Sequence, residues 1–189
     1  MPTRPAVRVA LRPPTAADAP AFLAAVKASR RLHGQWVQAP SSPAEFRAYL
    51  KRYASREAAA TRAGLLAVRK GDGALVGVFN FSNIVRGPFR NAYLGYYAFA
   101  PQAGQGYMTE AFALALDLAY AKLGLHRVEA NVQPTNRRSI ALVARIGFAR
   151  EGCSRRYIKI AGRWRDHVRY AMLAEDWRAI KRRRNGVRR

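Results

Sequence analysis

Apolar and polar residues alternate first with the period of a strand and then with that of a helix. Val7, Val9 and Leu11 flank Arg8 in a period-two pattern that predicts a strand over residues 7–11. Thr15 and Asp18 follow at capping-box spacing, ahead of an alanine-rich stretch that reads as a helix. Ser42 and Glu45 repeat that signal with Pro43 at the first helical position, and Phe46, Tyr49, Leu50 and Tyr53 recur at i, i+3, i+4 and i+7. Residues 65–69 and 75–81 flank Gly71-Asp72-Gly73 and predict a hairpin, and residues 91–99 add a tyrosine-rich strand, making a three-stranded meander.

Beyond residue 101 the texture changes. A turn-rich loop feeds an almost wholly apolar helix over 109–123, whose Phe112, Ala115, Leu116 and Ala119 predict burial. Residues 127–132 read as a strand and 136–146 as a helix closed by Gly147. Residues 148–160 and 164–172 read as a second hairpin around Ala161-Gly162, with Trp164 and Tyr170 in its core. Strands mixed with crossover helices imply an α/β or α+β sheet protein.

Composition narrows the class. Half of the 189 residues are hydrophobic, enough for a folded core, and no repeat or Ser/Gly linker divides the chain. One domain over residues 1–180 is expected. Cys153 is the lone cysteine, which rules out an intrachain disulfide or a thiolate zinc site. No apolar run is long enough to span a membrane, so a cytoplasmic protein is expected. Lys and Arg outnumber Asp and Glu by 34 to 11, a formal charge of +23 whose field attracts polyanions. Residues 181–189 are mostly basic, and Asn185-Gly186 reads as a helix breaker, so this end is expected to be a mobile arm able to touch RNA.

The candidate chemistry starts at Gly104-Gln105-Gly106-Tyr107-Met108-Thr109, which joins a strand to a helix start. Unpaired N–H groups and the positive end of the helix dipole make such a junction a natural phosphate site. Plain turn chemistry accounts for the glycines equally well. No Gly-Lys-Ser/Thr follows, so the loop is no P-loop, and Thr109 stands where a dinucleotide fingerprint needs its third glycine.

Residues 104–111 (GQGYMTEA), 123–148 (LGLHRVEANVQPTNRRSIALVARIGF), 151–152 (EG) and 162–173 (GRWRDHVRYAML) together resemble the GNAT superfamily of acetyl-CoA-dependent N-acetyltransferases, in its RimJ/RimL-like branch. The resemblance implies a mostly antiparallel mixed sheet, splayed between two strands and flanked by helices. It also implies that main-chain amides from Gly104 to Thr109, through Gln105, Gly106, Tyr107 and Met108, cradle the pyrophosphate of acetyl-CoA. Ala103 stands where the family has Arg or Gln, and Met108 where it has a small residue. The strand ending in Phe99 and Ala100 is expected to pair with pantetheine, and Asn136 and Ser139 to contact the cofactor. For Asn136 a helix N-cap is an equal expectation.

The chemistry requires a neutral amine and a proton for the departing thiolate. Glu129 is the candidate base, against the alternative of a charge on a solvated strand face. The tyrosine that many family members use as acid is replaced by Val143, which leaves Ser139 as candidate acid, against a simple helix-start serine. Residues 155–159, where some relatives have a glutamate, hold none. His33, His126 and His167 share no spacing with carboxylates or Cys153, so no metal is expected. Asp166-His167 with Ser139 makes no hydrolase, because neighbouring strand residues face opposite sides and no Gly-x-Ser-x-Gly elbow exists. The resemblance thus implies acetyl transfer to a protein N-terminus, possible partners being ribosomal proteins. A small-molecule amine acetyltransferase, or a basic RNA-binding protein without turnover, are the alternatives, and the oligomeric state is left open.

Overall fold

Local capping sets the N-terminal helices. In the computed structural model, which describes residues 6–53 and 55–186, Thr15 donates its main-chain N–H to Asp18 Oδ2 at 2.7 Å. The chain then enters α1 (Ala19–Ala28) and a single-turn α2 (Arg30–His33). At α3 (Pro43–Tyr53) the capping box is reciprocal: Glu45 N–H donates to Ser42 Oγ, and Ser42 N–H to Glu45 Oε2, both at 3.2 Å. The strands are β1 (Val9–Arg12), β2 (Ala63–Arg69), β3 (Leu75–Val85), β4 (Asn91–Ala98), β5 (Arg127–Val132), β6 (Ala149–Ile160) and β7 (Arg163–Leu173). The remaining helices are α4 (Tyr107–Ala121), α5 (Arg137–Ile146) and α6 (Ala174–Gly186).

The seven strands form one mixed, mostly antiparallel sheet in the order β1-β2-β3-β4-β5-β7-β6. The expected meander therefore gains β1, which pairs antiparallel with β2 from Val9↔Arg69 to Arg12↔Leu66. β4 and β5 are parallel in three register pairs, Asn91↔Arg127, Ala92↔Val128 and Tyr93↔Glu129. β7 is antiparallel to both β5 and β6.

The chain divides into two compact units, and β3, β4 and α4 contribute residues to both. One comprises the residues up to Asn80 together with Tyr96–Ala115. Its core joins Phe22 and Val26 of α1, Phe46 and Tyr49 of α3, and Leu66, Val78 and Phe99 from the sheet region. Phe22 lies 4.6 Å from Phe46 and 5.5 Å, edge-on, from Phe99. Each such ring contributes roughly 1.5–3 kcal/mol by leaving water. A second aromatic group sets Phe112 of α4 against Phe79 and Tyr96.

The other unit comprises Phe81–Gly95 and the chain from Leu116 onward. Val128, Ala130 and Val132 of β5 are buried in strict alternation with Arg127, Glu129 and Asn131. Asn136 caps α5, accepting the Ser139 N–H at 3.2 Å, and Gly147 ends it in the left-handed region. In α6 the buried Trp177 donates its indole N–H to Asp117 Oδ1 at 2.8 Å.

Three expectations need correction. α4 starts at Tyr107 rather than 109 and ends at Ala121. Trp164 is 60% exposed because it sits next to the turn of the β6–β7 hairpin, whereas Tyr170 is buried as expected. Asn185-Gly186 does not break the C-terminal helix: α6, which went unforeseen, runs through Gly186. Residues 187–189, the end of the expected arm, lie outside the described residues.

Candidate active site

In the first unit the loop after β4 is shaped by its main chain. Phe99 is fully buried and donates its N–H to Val76 O at 2.8 Å, and Ala100 N–H donates to Ser29 Oγ at 2.8 Å. Both groups expected to meet pantetheine are thus already hydrogen-bonded through nitrogen. After a 3-10 turn, Gly104 and Gly106 take φ of +79° and +82°, a region that side chains disfavour. A Cβ at Gly104 would meet nothing within 4 Å, so the space over the loop is open.

Among the described residues the amides of Gly104, Gln105, Gly106, Tyr107 and Met108 donate to no acceptor, while Thr109 N–H is taken by Gly106 O at 3.0 Å. The amide row is therefore one residue shorter than the expected stretch to Thr109. It lies at the N-terminus of a 15-residue helix, where the dipole favours an anion. Open space, unpaired amides and this dipole fit a pyrophosphate.

Cations missed by the sequence reading surround this loop. The Arg8 guanidinium lies 4.4 Å from the Tyr107 ring centroid, and its Nη2 donates to Gln105 O at 3.0 Å. Glu110, in the first turn of α4, holds Arg8 by accepting its Nε–H at 2.7 Å and its main-chain N–H at 2.9 Å. The hydrogen bond to Glu110 raises the Arg8 pKa. Arg69 lies 5.8 Å from the same ring and bonds Gln102 Oε1 at 3.1 Å. Both guanidinium groups are paired with carboxylates, Arg8 with Glu110 and Arg69 with Asp72, so their own charge is largely balanced where they stand beside a loop whose Ala103 supplies no cation. Alternation around Arg8 was visible in the sequence, but nothing local tied it to a loop almost 100 residues away.

Met108 has its own structural reason. A Cβ on Gly77 would come within 2.6 Å of Met108 Sδ and 2.5 Å of Tyr97 O, so the long thioether fills room that a glycine leaves.

The same unit holds a cavity of about 540 Å³ walled by Tyr49, Tyr53, Tyr97, Asn80, Gln38 and Arg52. Tyr49 donates its hydroxyl to Asn80 Oδ1 at 2.9 Å. The Tyr97 hydroxyl is buried and has no hydrogen-bond partner among the described residues, and burial holds its pKa well above the usual phenol range. Such an orphaned donor is costly unless something else meets it. Glu45, the carboxylate on this wall, is occupied by Ser41 and Ser42 N–H groups, which lower its pKa. His33 donates its Nε2–H to Ala98 O at 2.9 Å, and burial lowers its pKa.

In the second unit, Glu129 is not on a solvated face. Its side chain is 12% exposed, and Oε1 accepts the Arg127 Nε–H at 3.0 Å. Arg127 also donates Nη1 to Glu151 Oε1 at 2.7 Å, and Glu151 holds its pKa up. Glu129 Oε2 takes no hydrogen bond among the described residues. Tyr157 donates to Tyr93 OH at 3.3 Å; that bond, then burial, pushes its pKa up to about 12. Asn131 Oδ1 and Arg169 Nε, on residues opposite each other in the β5–β7 register, are both buried without hydrogen-bond partners among the described residues. Asn136 and Ser139 are brought together by the helix cap, which bears out the N-cap expectation. Val143 is fully buried.

Residues 8–149 match the acetyltransferase (GNAT) domain, and the chain belongs to this family, whose acyl donor is acetyl-CoA. It is 45% identical over 103 residues to the ribosomal protein uS5 alanine N-acetyltransferase of Escherichia coli strain K12, covering 54% of this chain and 53% of that protein. The chain thus spans about half the length of the curated relatives it matches. The structure of Mycobacterium smegmatis RimJ in complex with CoA-disulfide superposes with a TM-score of 0.81 at 29% identity, covering 89% of this chain and 83% of that one. A Vibrio cholerae spermidine N-acetyltransferase, solved with CoA and spermine, shares the fold with a TM-score of 0.74 at 20% identity, covering 90% of this chain and 98% of that one. Among the described residues no helix is long and apolar enough to cross a membrane.

Proposed function

We propose that this chain transfers the acetyl group of acetyl-CoA directly to the α-amine of a protein N-terminus, with a ribosomal protein as acceptor. What carries the proposal is the row of unpaired amides from Gly104 to Met108, aimed from two left-handed glycines and backed by Arg8 and Arg69. These amides hold the pyrophosphate of the donor, and Asn136 and Ser139 contact the donor from the start of α5.

In the transfer the amine nitrogen forms a bond to the thioester carbonyl carbon, the C–S bond breaks, and the thiolate takes a proton. An α-amine, with a pKa of roughly 7.7–8.0, is partly neutral at pH 7, whereas a lysine at roughly 10.4 is not. A weak base therefore suffices: Glu129 Oε2, acting through water, takes the amine proton, Ser139 gives one to sulfur, and the serine hydroxyl is restored by a proton returned from Glu129 through water.

Two observations favour a peptide over a polyamine. The similarity to an enzyme named for ribosomal protein uS5 alanine is one. The other is the tyrosine-walled cavity, where Glu45 is spent on a helix cap and Arg52 adds positive charge, so a polycation finds no free carboxylate there. The test is thiol release from acetyl-CoA with peptides beginning Ala or Ser, with whole ribosomal proteins and with spermidine. Peptide and protein turnover is expected, with Ser139→Ala lowering kcat more than it raises KM for acetyl-CoA. Turnover of spermidine alone would overturn the acceptor class.

A further inference from the structure

The β6–β7 hairpin combines exposed apolar side chains with unpaired cations on a projecting ribbon. β6 is one of the two edge strands of the sheet, and the hairpin closes on Ala161 and Gly162, both at positive φ (48° and 77°), a turn whose twist matches that of the strands it joins. A bulge interrupts the register between Ser154 and Ile158; there Arg156 sits at φ +48° and donates its N–H to Asp166 Oδ1 at 2.7 Å.

Between Ala149 and Asp166 the acids are Glu151, held by Arg127, and Asp166, which takes the bulge amide. The cations are Arg150, Arg155, Arg156, Lys159, Arg163 and Arg165, and among the described residues none forms an ion pair.

Beyond the bulge each apolar side chain stands opposite a cation. Trp164 pairs with Lys159, Ile158 with Arg165 and Ile160 with Arg163. Trp164 is 60% exposed and Ile158 40% exposed. By strand alternation Trp164 and Lys159 share one face of the ribbon, and the two isoleucines share the other with Arg163 and Arg165.

We propose that this hairpin binds single-stranded RNA, with Trp164 stacking on a base, Lys159 on the same face meeting an adjacent phosphate, and Arg163 and Arg165 meeting the backbone where it passes round the ribbon to the other face. An exposed indole bordered by cations supplies the two terms of single-strand recognition, a stacking surface and phosphate neutralisation. Four of the five cations that flank or follow the bulge are arginines, whose planar fork meets phosphate with two parallel bonds and stacks on bases. An anionic membrane fits less well, since apolar groups on both faces leave the ribbon no single greasy side to lay in an interface. A duplex fits less well too, since base faces are closed inside it and the RNA major groove is too narrow for side chains. The chain's charge of +23 speeds encounter. This inference stands apart from the acetyl-transfer proposal and needs no turnover.

The test is fluorescence anisotropy of the full chain with a labelled single-stranded RNA of about 15 nucleotides over a salt series, run beside vesicles of phosphatidylglycerol and an aspartate-rich peptide. Trp164→Ala is expected to weaken RNA binding about tenfold. Replacing Arg163 and Arg165 by Gln together is expected to lower the slope of log Kd against log salt by about 1.4. The control, Arg47→Gln with Lys51→Gln, removes the same charge from exposed positions of α3 and is expected to change little. Circular dichroism and coenzyme A binding check that each variant is folded. Absence of RNA binding, equal losses in the control, unchanged binding by Trp164→Ala, or the hairpin dependence appearing with vesicles or the acidic peptide instead of RNA would each overturn the proposal.

Discussion

Arg8 and Glu110, 102 residues apart, are joined by both side chain and main chain: the guanidinium Nε–H reaches Oε1 at 2.7 Å and the Arg8 amide reaches Oε2 at 2.9 Å. The pair fixes the residue ahead of β1 to the first turn of α4, and Arg8 Nη2 holds the carbonyl of Gln105.

Arg8→Gln keeps a hydrogen-bonding group and removes the charge. Arg8 is half exposed and solvent screens it, so the expected loss is about two- to fivefold in Kd for coenzyme A. Titration calorimetry at two salt concentrations checks this, with the wild-type advantage shrinking at high salt. An affinity equal to wild type at low salt would remove Arg8 from donor binding.

Tyr97→Phe separates stability from function. Among the described residues the buried hydroxyl has no hydrogen-bond partner, so deleting it is expected to leave the melting temperature unchanged or raise it, by up to about 1 kcal/mol of stability. If the cavity beside it takes the acceptor, KM for an Ala-terminated peptide rises while Kd for coenzyme A stays constant. A lower melting temperature with unchanged KM would show that the hydroxyl has a structural partner instead.

How much of this was legible in the sequence depended on range. Thr15 with Asp18, Ser42 with Glu45, and Asn136 with Gly147 are local signals, and each marks a helix end where its spacing put it. The glycines of the loop were legible because positive φ is a backbone property that the residue type itself advertises. Arg8, Arg69 and Tyr97 were not, because their roles come from contacts with distant segments. α6 was hidden for a related reason: among its charges, burial of Trp177 is a tertiary fact, and the pairing of Lys181 with Asp117 at 2.7 Å crosses 64 residues. Trp164 was misread because alternation gives a side chain's face but not whether anything covers it.

Stability should fall in acid partly through Asp18. Arg12 and the Thr15 amide hold its pKa at about 2, below the ordinary 3.8. A lowered folded-state pKa stabilises the fold above the unfolded value, and that contribution is lost as pH falls from about 4 toward about 2. Arg12 is partly exposed, so the contribution is about 1–2 kcal/mol at most. Melting temperatures of wild type and Asp18→Asn measured from pH 7 to pH 2 should converge at the acid end; a constant gap would contradict this origin.

The most direct test is calorimetric titration of coenzyme A into wild type and Gly106→Val. Valine at φ +82° is strained and would turn the loop amides from their common direction, while the Arg8 contact at 3.4 Å leaves it little room. The expected result is clear binding by the wild type at low salt and none by the variant, with circular dichroism unchanged. A folded Gly106→Val that binds coenzyme A as tightly as the wild type would contradict the claim that these amides hold the donor.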